Sequence, residues 1–217
     1  MKVAVVASGE LEASDAVWLD DADLVIAADG GAGSLDRLGR LPDLVIGDLD
    51  SVDGLLLRRL EASGTRVESH PADKEASDTE LAVEAAFDAG GSAVVVLGAM
   101  GGDRLDHEVA NLLLLADSSL AGSDLRAVRG GTAVRALHAG GRLVLDGAVG
   151  DLVTLLPVGG DASGVTTVGL RWALDAATLR IGRSRGLSNE ILQAPASVQI
   201  SLGTLLVIET ASEEEIS

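Results

Sequence analysis

The chain has no cysteine and no tyrosine, and its 217 residues include only three aromatics, Trp18, Phe87 and Trp172. Without cysteine there is no disulfide scaffold, no thiolate zinc site and no cysteine nucleophile. Histidine is scarce and scattered, at His70, His107 and His138, which speaks against a histidine-based metal site. Any metal is therefore expected to be a hard cation held by carboxylates. Lysine occurs only at Lys2 and Lys74, and 16 basic residues face 34 acidic ones, a formal net charge of −18. A chain so poor in positive charge lacks the basic face that a nucleic acid or an anionic lipid surface requires. Long apolar runs are missing too. None approaches the ~18 residues of a membrane span, and Val3–Ala7 behind Lys2 falls short of the roughly 7–15 apolar residues of a secretory signal. The expectation is a soluble, cytoplasmic protein with neither nucleic acid nor membrane as a partner.

What the chain does have is apolar substance. Hydrophobic residues make up 47% of it and mean hydropathy is +0.33, which excludes a disordered chain despite the charge. At roughly 100–200 residues per domain, the length allows one large domain or two small ones. Short Val/Ile/Leu/Ala runs at 3–7, 24–28, 44–46, 65–68, 93–97 and 125–128 read as strands covered on both faces. Helical patterns fall between them, near 14–20, 33–39, 53–63, 78–89 and 105–117. Ser77-Asp78-Thr79-Glu80 reads as a capping box opening the fourth helix. Such alternation predicts a mainly parallel, Rossmann-like sheet with crossover helices. After about residue 130 the pattern changes to short apolar runs at 142–145, 152–156, 164–168, 179–181, 198–200 and 205–208, separated by turn residues. That predicts a small antiparallel β-sandwich or barrel, with the boundary near Gly130-Gly131 and domains of 1–130 and 131–217. The acidic tail from Ser212 is expected to fray.

Ligands of an open parallel sheet bind outside the carboxyl ends of its strands. Four clusters fall there. Asp29-Gly30-Gly31 follows the second strand, where glycines let a ligand approach the backbone and a helix start can receive an anion. Asp48 and Asp50 follow the third; with extended backbone they point to one side and repel unless a cation bridges them. Lys74, Ser77 and Asp78 follow the fourth, a lone lysine among acids that could hold a phosphate as a point charge. Gly101-Gly102-Asp103-Arg104-Leu105-Asp106-His107 follows the fifth, an oxyanion corner by composition. Each cluster alone also fits a solvated turn, an ion pair or a helix cap. Together, on one sheet edge, they suit a Mg²⁺–polyphosphate ligand: carboxylates for the metal, cations for the phosphates.

At this point a resemblance emerges. Ala-Asp-Gly-Gly-Ala (28–32), Pro-Asp-Leu-Val-Ile-Gly-Asp-Leu-Asp-Ser (42–51), Lys-x-x-Ser-Asp (74–78), Gly-Gly-x-Arg-x-Asp-His (101–107) with Asn111, Gly-Leu-Arg-Trp-x-Leu (169–174) and Gly-Leu-Ser-Asn-Glu (186–190) together resemble the thiamine pyrophosphokinase family, in its order and spacing. The resemblance implies an α/β nucleotide-binding domain followed by a β-sandwich, and a homodimer with thiamine held where the sandwich of one subunit meets the α/β domain of the other. It implies transfer of the β,γ-diphosphate of ATP to the hydroxyethyl oxygen of thiamine, with Mg²⁺ as cofactor. It assigns Asp48, Asp50 and Asp78 to the magnesium and phosphate site, and Arg104 and Asp106 to the Arg-x-Asp pair beside it. Asp29, Gly30, Gly31, Lys74 and Ser77 join Arg104 around the nucleotide; Trp172, Ser188 and Asn189 contact thiamine. Two positions depart from the family pattern: Glu75 where an aspartate is usual, and the extra Asp103 before Arg104. Two other readings are another Mg²⁺-dependent phosphotransferase or phosphatase, and a non-catalytic nucleotide- or thiamine-binding regulator on the same fold. An aspartyl-phosphate phosphatase would carry its Asp-x-Asp after the first strand, which here ends in Ala7-Ser8-Gly9.

Overall fold

The computed structural model describes residues 1–212 and divides the chain into two compact units. The first comprises Met1–Leu112 with Ala127–Gly130; the second comprises Leu113–Arg126 and the chain from Gly131 onward. The tail acids Glu213, Glu214 and Glu215, read as fraying, lie outside the described residues.

The first unit is built on a parallel sheet. Its strands are β1 (Lys2–Val6), β2 (Leu24–Ala28), β3 (Leu44–Gly47), β4 (Arg66–Ser69) and β5 (Ala93–Leu97), in the order β4-β3-β2-β1-β5 with every pairing parallel. The central strands are apolar along nearly their whole length because both faces are covered, so β1 buries Val3, Ala4, Val5 and Val6 without alternation. Helices α1 (Ala16–Asp20), α2 (Gly31–Arg37), α3 (Gly54–Ala62), α4 (Asp78–Asp88) and α5 (Leu105–Leu114) lie between or after the strands. Helix α4 shows how one of them docks: Thr79, Ala82, Val83 and Ala86, on one face of a 3.6-residue period, are buried against the sheet. Asp53 caps α3 by accepting from the Leu55 and Leu56 N–H groups, and Ser77 caps α4 by accepting from Glu80 N.

The sequence boundaries shift in small ways with visible causes. The first helical pattern splits into a 3₁₀ turn (Ala13–Asp15) and α1. The fifth helix stops at Leu114, where Asp117 turns to cap the next 3₁₀ turn, Ser118–Leu120.

The second unit is antiparallel. Strand β6 (Asp124–Arg129) is divided between the two units, and β7 (Thr132–His138), β8 (Arg142–Val144), β9 (Leu152–Val168), β10 (Ala177–Leu179), β11 (Asn189–Glu190), β12 (Ser197–Gln199) and β13 (Leu202–Thr210) follow in chain order. Strand β13 pairs with β7 and with the first part of β9; β12 pairs with β8 and with the last part of β9. The runs at 152–156 and 164–168 are thus one strand of 17 residues, which serves two sheets by bending through Gly159-Gly160. Between them lies a core that includes Val153, Leu155, Val165, Leu179, Ile191, Val198 and Leu205. This mixed architecture, parallel first and antiparallel later, is the fold class expected from the sequence.

Candidate active site

Strand order in the first unit turns back at β1, with β2 on one side and the late strand β5 on the other. Loops leaving the two strands meet there: Gly9 N donates to Gly98 O at 2.9 Å. A Cβ at Gly9 would stand 2.3 Å from that oxygen, so only glycine permits this closure. Arg129, the last residue of β6, lies against Gly101 and faces Glu12 at 3.2 Å and Glu10 at 3.6 Å. It therefore ties the two loops together. Neither Gly9 nor Arg129 stood out in the sequence. The chain position after the first strand was the one signal for Gly9, and nothing near Arg129 in sequence marks it.

The acid clusters converge as the sheet predicts, but with a different membership. One carboxylate oxygen each from Asp29, Asp48 and Asp78 lies within 4.8 Å of the other two. Asp29 is carried by the end of β2, Asp48 by the end of β3 and Asp78 by the first turn of α4. Gly47 makes room for them: a Cβ there would sit 2.9 Å from Asp78 Oδ1 and 3.1 Å from Asp29 Cβ. Asp50 is not one of the three. Leu49 has φ of 65°, a left-handed conformation, so the alternation that would have aligned Asp48 with Asp50 is broken. Instead Asp50 N donates to Asp48 Oδ1 at 3.2 Å, and the exposed Asp50 carboxylate accepts from Ser51 Oγ at 2.9 Å. Asp29 is itself left-handed, with φ of 44°. Two non-glycine residues in that region beside one acid cluster mark stored backbone strain at a site.

Electrostatics sets Asp29 apart from an ordinary surface carboxylate. Burial pushes the Asp29 carboxyl up; Ser51 and the Gly30 N–H pull the other way, and the charges of Asp78 and Asp48 add to the rise. Asp29 Oδ1 is buried with no hydrogen-bond partner. Lys74 supplies the one nearby ammonium. Its Nζ stands 2.9 Å from Asp78 Oδ1 and also donates to Pro71 O at 3.4 Å, and the hydrogen bond to Asp78 is the main reason its own pKa rises. Three like charges gathered around a buried, unmatched oxygen fit a hard divalent cation with oxygen ligands.

The remaining nucleotide-side residues divide. Gly30 and Gly31 form the entry of α2, beneath Asp29. Ser77 is committed to capping α4. Arg104 and Asp106 form an exposed two-pronged pair with each other, at 2.9 and 2.6 Å. Arg104 holds the Asp106 carboxyl down at about 2.

In the second unit, Trp172 stands on the loop between β9 and β10 and is 60% exposed, so it is not a core residue of the sandwich. Asn189, on β11, is buried and bonds the Trp172 backbone at both its N–H and its C=O. Ser188 is exposed and left-handed, with φ of 53°, and its N–H donates to Thr154 Oγ1.

The thiamin pyrophosphokinase catalytic domain family matches residues 16–127, and the thiamin pyrophosphokinase vitamin B1 binding domain family matches residues 143–207. A thiamine pyrophosphokinase of Bacillus subtilis (strain 168) is 23% identical over 89% of this chain and 90% of its own length. Thiamine pyrophosphokinase 2 of Oryza sativa subsp. japonica is 27% identical over 86% of this chain and 78% of its own. The crystal structure of a thiamine pyrophosphokinase from Bacillus subtilis superposes with a TM-score of 0.85 at 22% identity, covering 98% of this chain and 100% of that one, a likeness of fold. Its catalytic-domain match spans more than half of the chain and is followed in order by the vitamin-binding match, so the protein belongs to the thiamin pyrophosphokinase family.

Proposed function

We propose that this protein transfers the diphosphate group of ATP to the hydroxyethyl oxygen of thiamine, giving thiamine diphosphate and AMP. The observation that carries the proposal is the carboxylate triad Asp29, Asp48 and Asp78 with Lys74 at the carboxyl edge of the parallel sheet, in a chain of this family. In this reading residues 1–130 bind the nucleotide and perform the chemistry, and residues 131–217 bind thiamine.

The hydroxyl oxygen attacks the β-phosphorus, the bond from that phosphorus to the α,β-bridging oxygen breaks, and AMP leaves carrying that oxygen. Asp29, Asp48 and Asp78 would hold Mg²⁺, whose bound charge would neutralise phosphate oxygens. Lys74 and Arg104 offset negative charge on the β-phosphoryl group and on departing AMP. The N–H groups around Gly30, Gly31 and Ser77 supply donors at helix starts for the nucleotide. The hydroxyl proton needs an acceptor or an orienting carboxylate. Asp106 is a poor base because Arg104 holds its pKa at about 2; Asp78, beside Lys74, is the other carboxylate placed to orient the hydroxyl. Thiamine carries a thiazolium cation; Trp172 offers it an aromatic face, with Ser188 and Asn189 nearby in the same segment pair.

We also propose a cytoplasmic homodimer. Among the described residues no helix is long and apolar enough to cross a membrane. Light scattering at several protein concentrations tests the dimer.

The decisive assay incubates the protein with ATP, Mg²⁺ and thiamine and separates the nucleotides. AMP with thiamine diphosphate is the expected result. ADP or free phosphate would mean another phosphotransferase or a phosphatase. Tight binding of ATP or thiamine without product would mean a non-catalytic binder.

A further inference from the structure

We infer that Asn189 is a positioning residue that serves the substrate through Trp172: it fixes the Trp172 backbone, while the Arg171–Glu190 pair occupies one face of the indole and leaves the other to the aromatic cation. The inference rests on the reading that thiamine docks at Trp172.

The loop that presents Trp172 has little regular structure of its own, so an exposed indole there needs an external tether. Asn189 supplies it from a buried position. Its Oδ1 accepts from Trp172 N at 3.0 Å and from Glu190 N at 2.9 Å, and its Nδ2 donates to Trp172 O at 2.8 Å. The orientation of the amide is fixed by these partners, because two N–H groups require the oxygen and a carbonyl requires the nitrogen. Both acceptor positions and one N–H of the amide are thus used within the protein, which leaves a single N–H for anything else. An amide so committed acts chiefly through what it holds.

The neighbours complete the clamp. Arg171 N donates to Glu190 O at 2.8 Å, and Leu170 bridges to Ile191. The Arg171 guanidinium binds Glu190 with two hydrogen bonds of 2.8 Å, and its central carbon stands 5.9 Å from the Trp172 ring centroid. A cation held there by a carboxylate occupies one π face, so a substrate cation is directed to the opposite one.

A double-mutant cycle on thiamine affinity tests this. Trp172→Ala is expected to raise the thiamine Kd about tenfold or more, and Asn189→Ala about tenfold, with KM for thiamine rising while kcat and KM for ATP stay within about twofold. In the Trp172→Ala background, Asn189→Ala should change Kd by less than about twofold, because the side chain it positions is gone. A full tenfold loss in that background would show direct contact with substrate and overturn the inference. If Asn189→Ala does not fold, Asn189→Asp enters the same cycle; it keeps the acceptor for Trp172 N and lacks the donor for Trp172 O. Should the wild-type protein bind no thiamine, the functional reading fails separately. The clamp is then read in a Trp18→Phe background, where Asn189→Ala should shift Trp172 emission and increase its quenching by acrylamide; unchanged fluorescence would overturn it.

Discussion

Asp29 and Glu209 are both buried acids, and the chain treats them in opposite ways. Asp29 meets two more carboxylates, keeps one oxygen without a partner, and sits on left-handed backbone. Glu209, on β13, is answered on both oxygens. Oε1 accepts from Arg135 Nη2. Oε2 accepts from Asp146 N at 2.7 Å and Gly147 N at 2.9 Å. Burying a charge is costly unless it is paired, so the matched acid belongs to the architecture of its unit. An acid left unmatched at equal depth persists only where something else supplies the missing charge. The contrast separates a ligand site from a structural ion pair without reference to sequence motifs.

The largest expected effect breaks the unmatched side of that contrast. Asp48→Asn should lower AMP formation by about a thousandfold, since it removes one of the carboxylates that would hold the Mg²⁺ neutralising the reacting phosphates. Stability should change little, because relief of repulsion among the three acids offsets lost attraction to Lys74. Asp50→Asn, outside the triad, should cost far less. Steady-state rates of the two purified variants, with urea unfolding beside them, check both parts. Equal losses would return Asp50 to the cation site on the same footing as Asp48.

The matched side should behave in reverse. Glu209→Ala leaves the Arg135 guanidinium buried with its main partner gone, and frees two backbone N–H groups. A loss of about 3 kcal/mol in unfolding free energy is expected, as for other broken buried pairs. Urea denaturation measures it. A loss below about 1 kcal/mol would mean that water reaches Arg135 and that Glu209 is less enclosed than its contacts imply.

The same two acids show what was legible in the sequence. The parallel sheet could be read because β1, β2, β3 and β5 are buried on both faces and therefore written as unbroken apolar runs. Convergence of the clusters followed from topology alone. Which acids met did not, because it turns on Leu49 adopting a left-handed conformation, and leucine gives no signal for that. Asp29 was legible as part of a glycine turn, but its unmatched oxygen is a product of tertiary packing. Strand β7 escaped notice because Arg135 points inward to Glu209 and interrupts the apolar pattern. Strand β9 was read as two because Gly159-Gly160 signals a turn, whereas the chain uses the pair to bend a single strand between sheets. By residue type alone a tryptophan in a small β domain is more often core than ligand face, and only the fold exposes the Trp172 indole.

A smaller change sharpens the unmatched site from beneath. Gly47→Ala would place a Cβ 2.9 Å from Asp78 Oδ1 at a φ of 150°, where side chains are rarely accommodated. The expected cost is about 1–2 kcal/mol of stability, with a loss of activity because the acids are pushed apart. Thermal unfolding and the AMP assay on one preparation give both numbers. A fully active, equally stable variant would show that the close approach of Asp29 and Asp78 is not needed.

The smallest effect concerns two acids of the first unit whose pKa values move in opposite directions. Burial raises Asp29, while Arg104 lowers Asp106 to about 2. A carboxylate depressed in the folded state contributes stability above its unfolded pKa of about 4, and that contribution disappears as pH falls toward 2. The Arg104–Asp106 pair is exposed, so salt should screen it and its share of stability should be slight. Carbon-detected NMR titration of the carboxyl groups resolves the two directly. Asp106 should remain ionised well below pH 4 in the wild type and return toward the ordinary aspartate value in Arg104→Ala, with Asp29 unmoved by that substitution. Asp106 titrating near 4 in the wild type would mean that the pair does not persist in solution; it would then restore Asp106, with a free carboxylate of ordinary basicity, as an alternative to Asp78 for the hydroxyl proton.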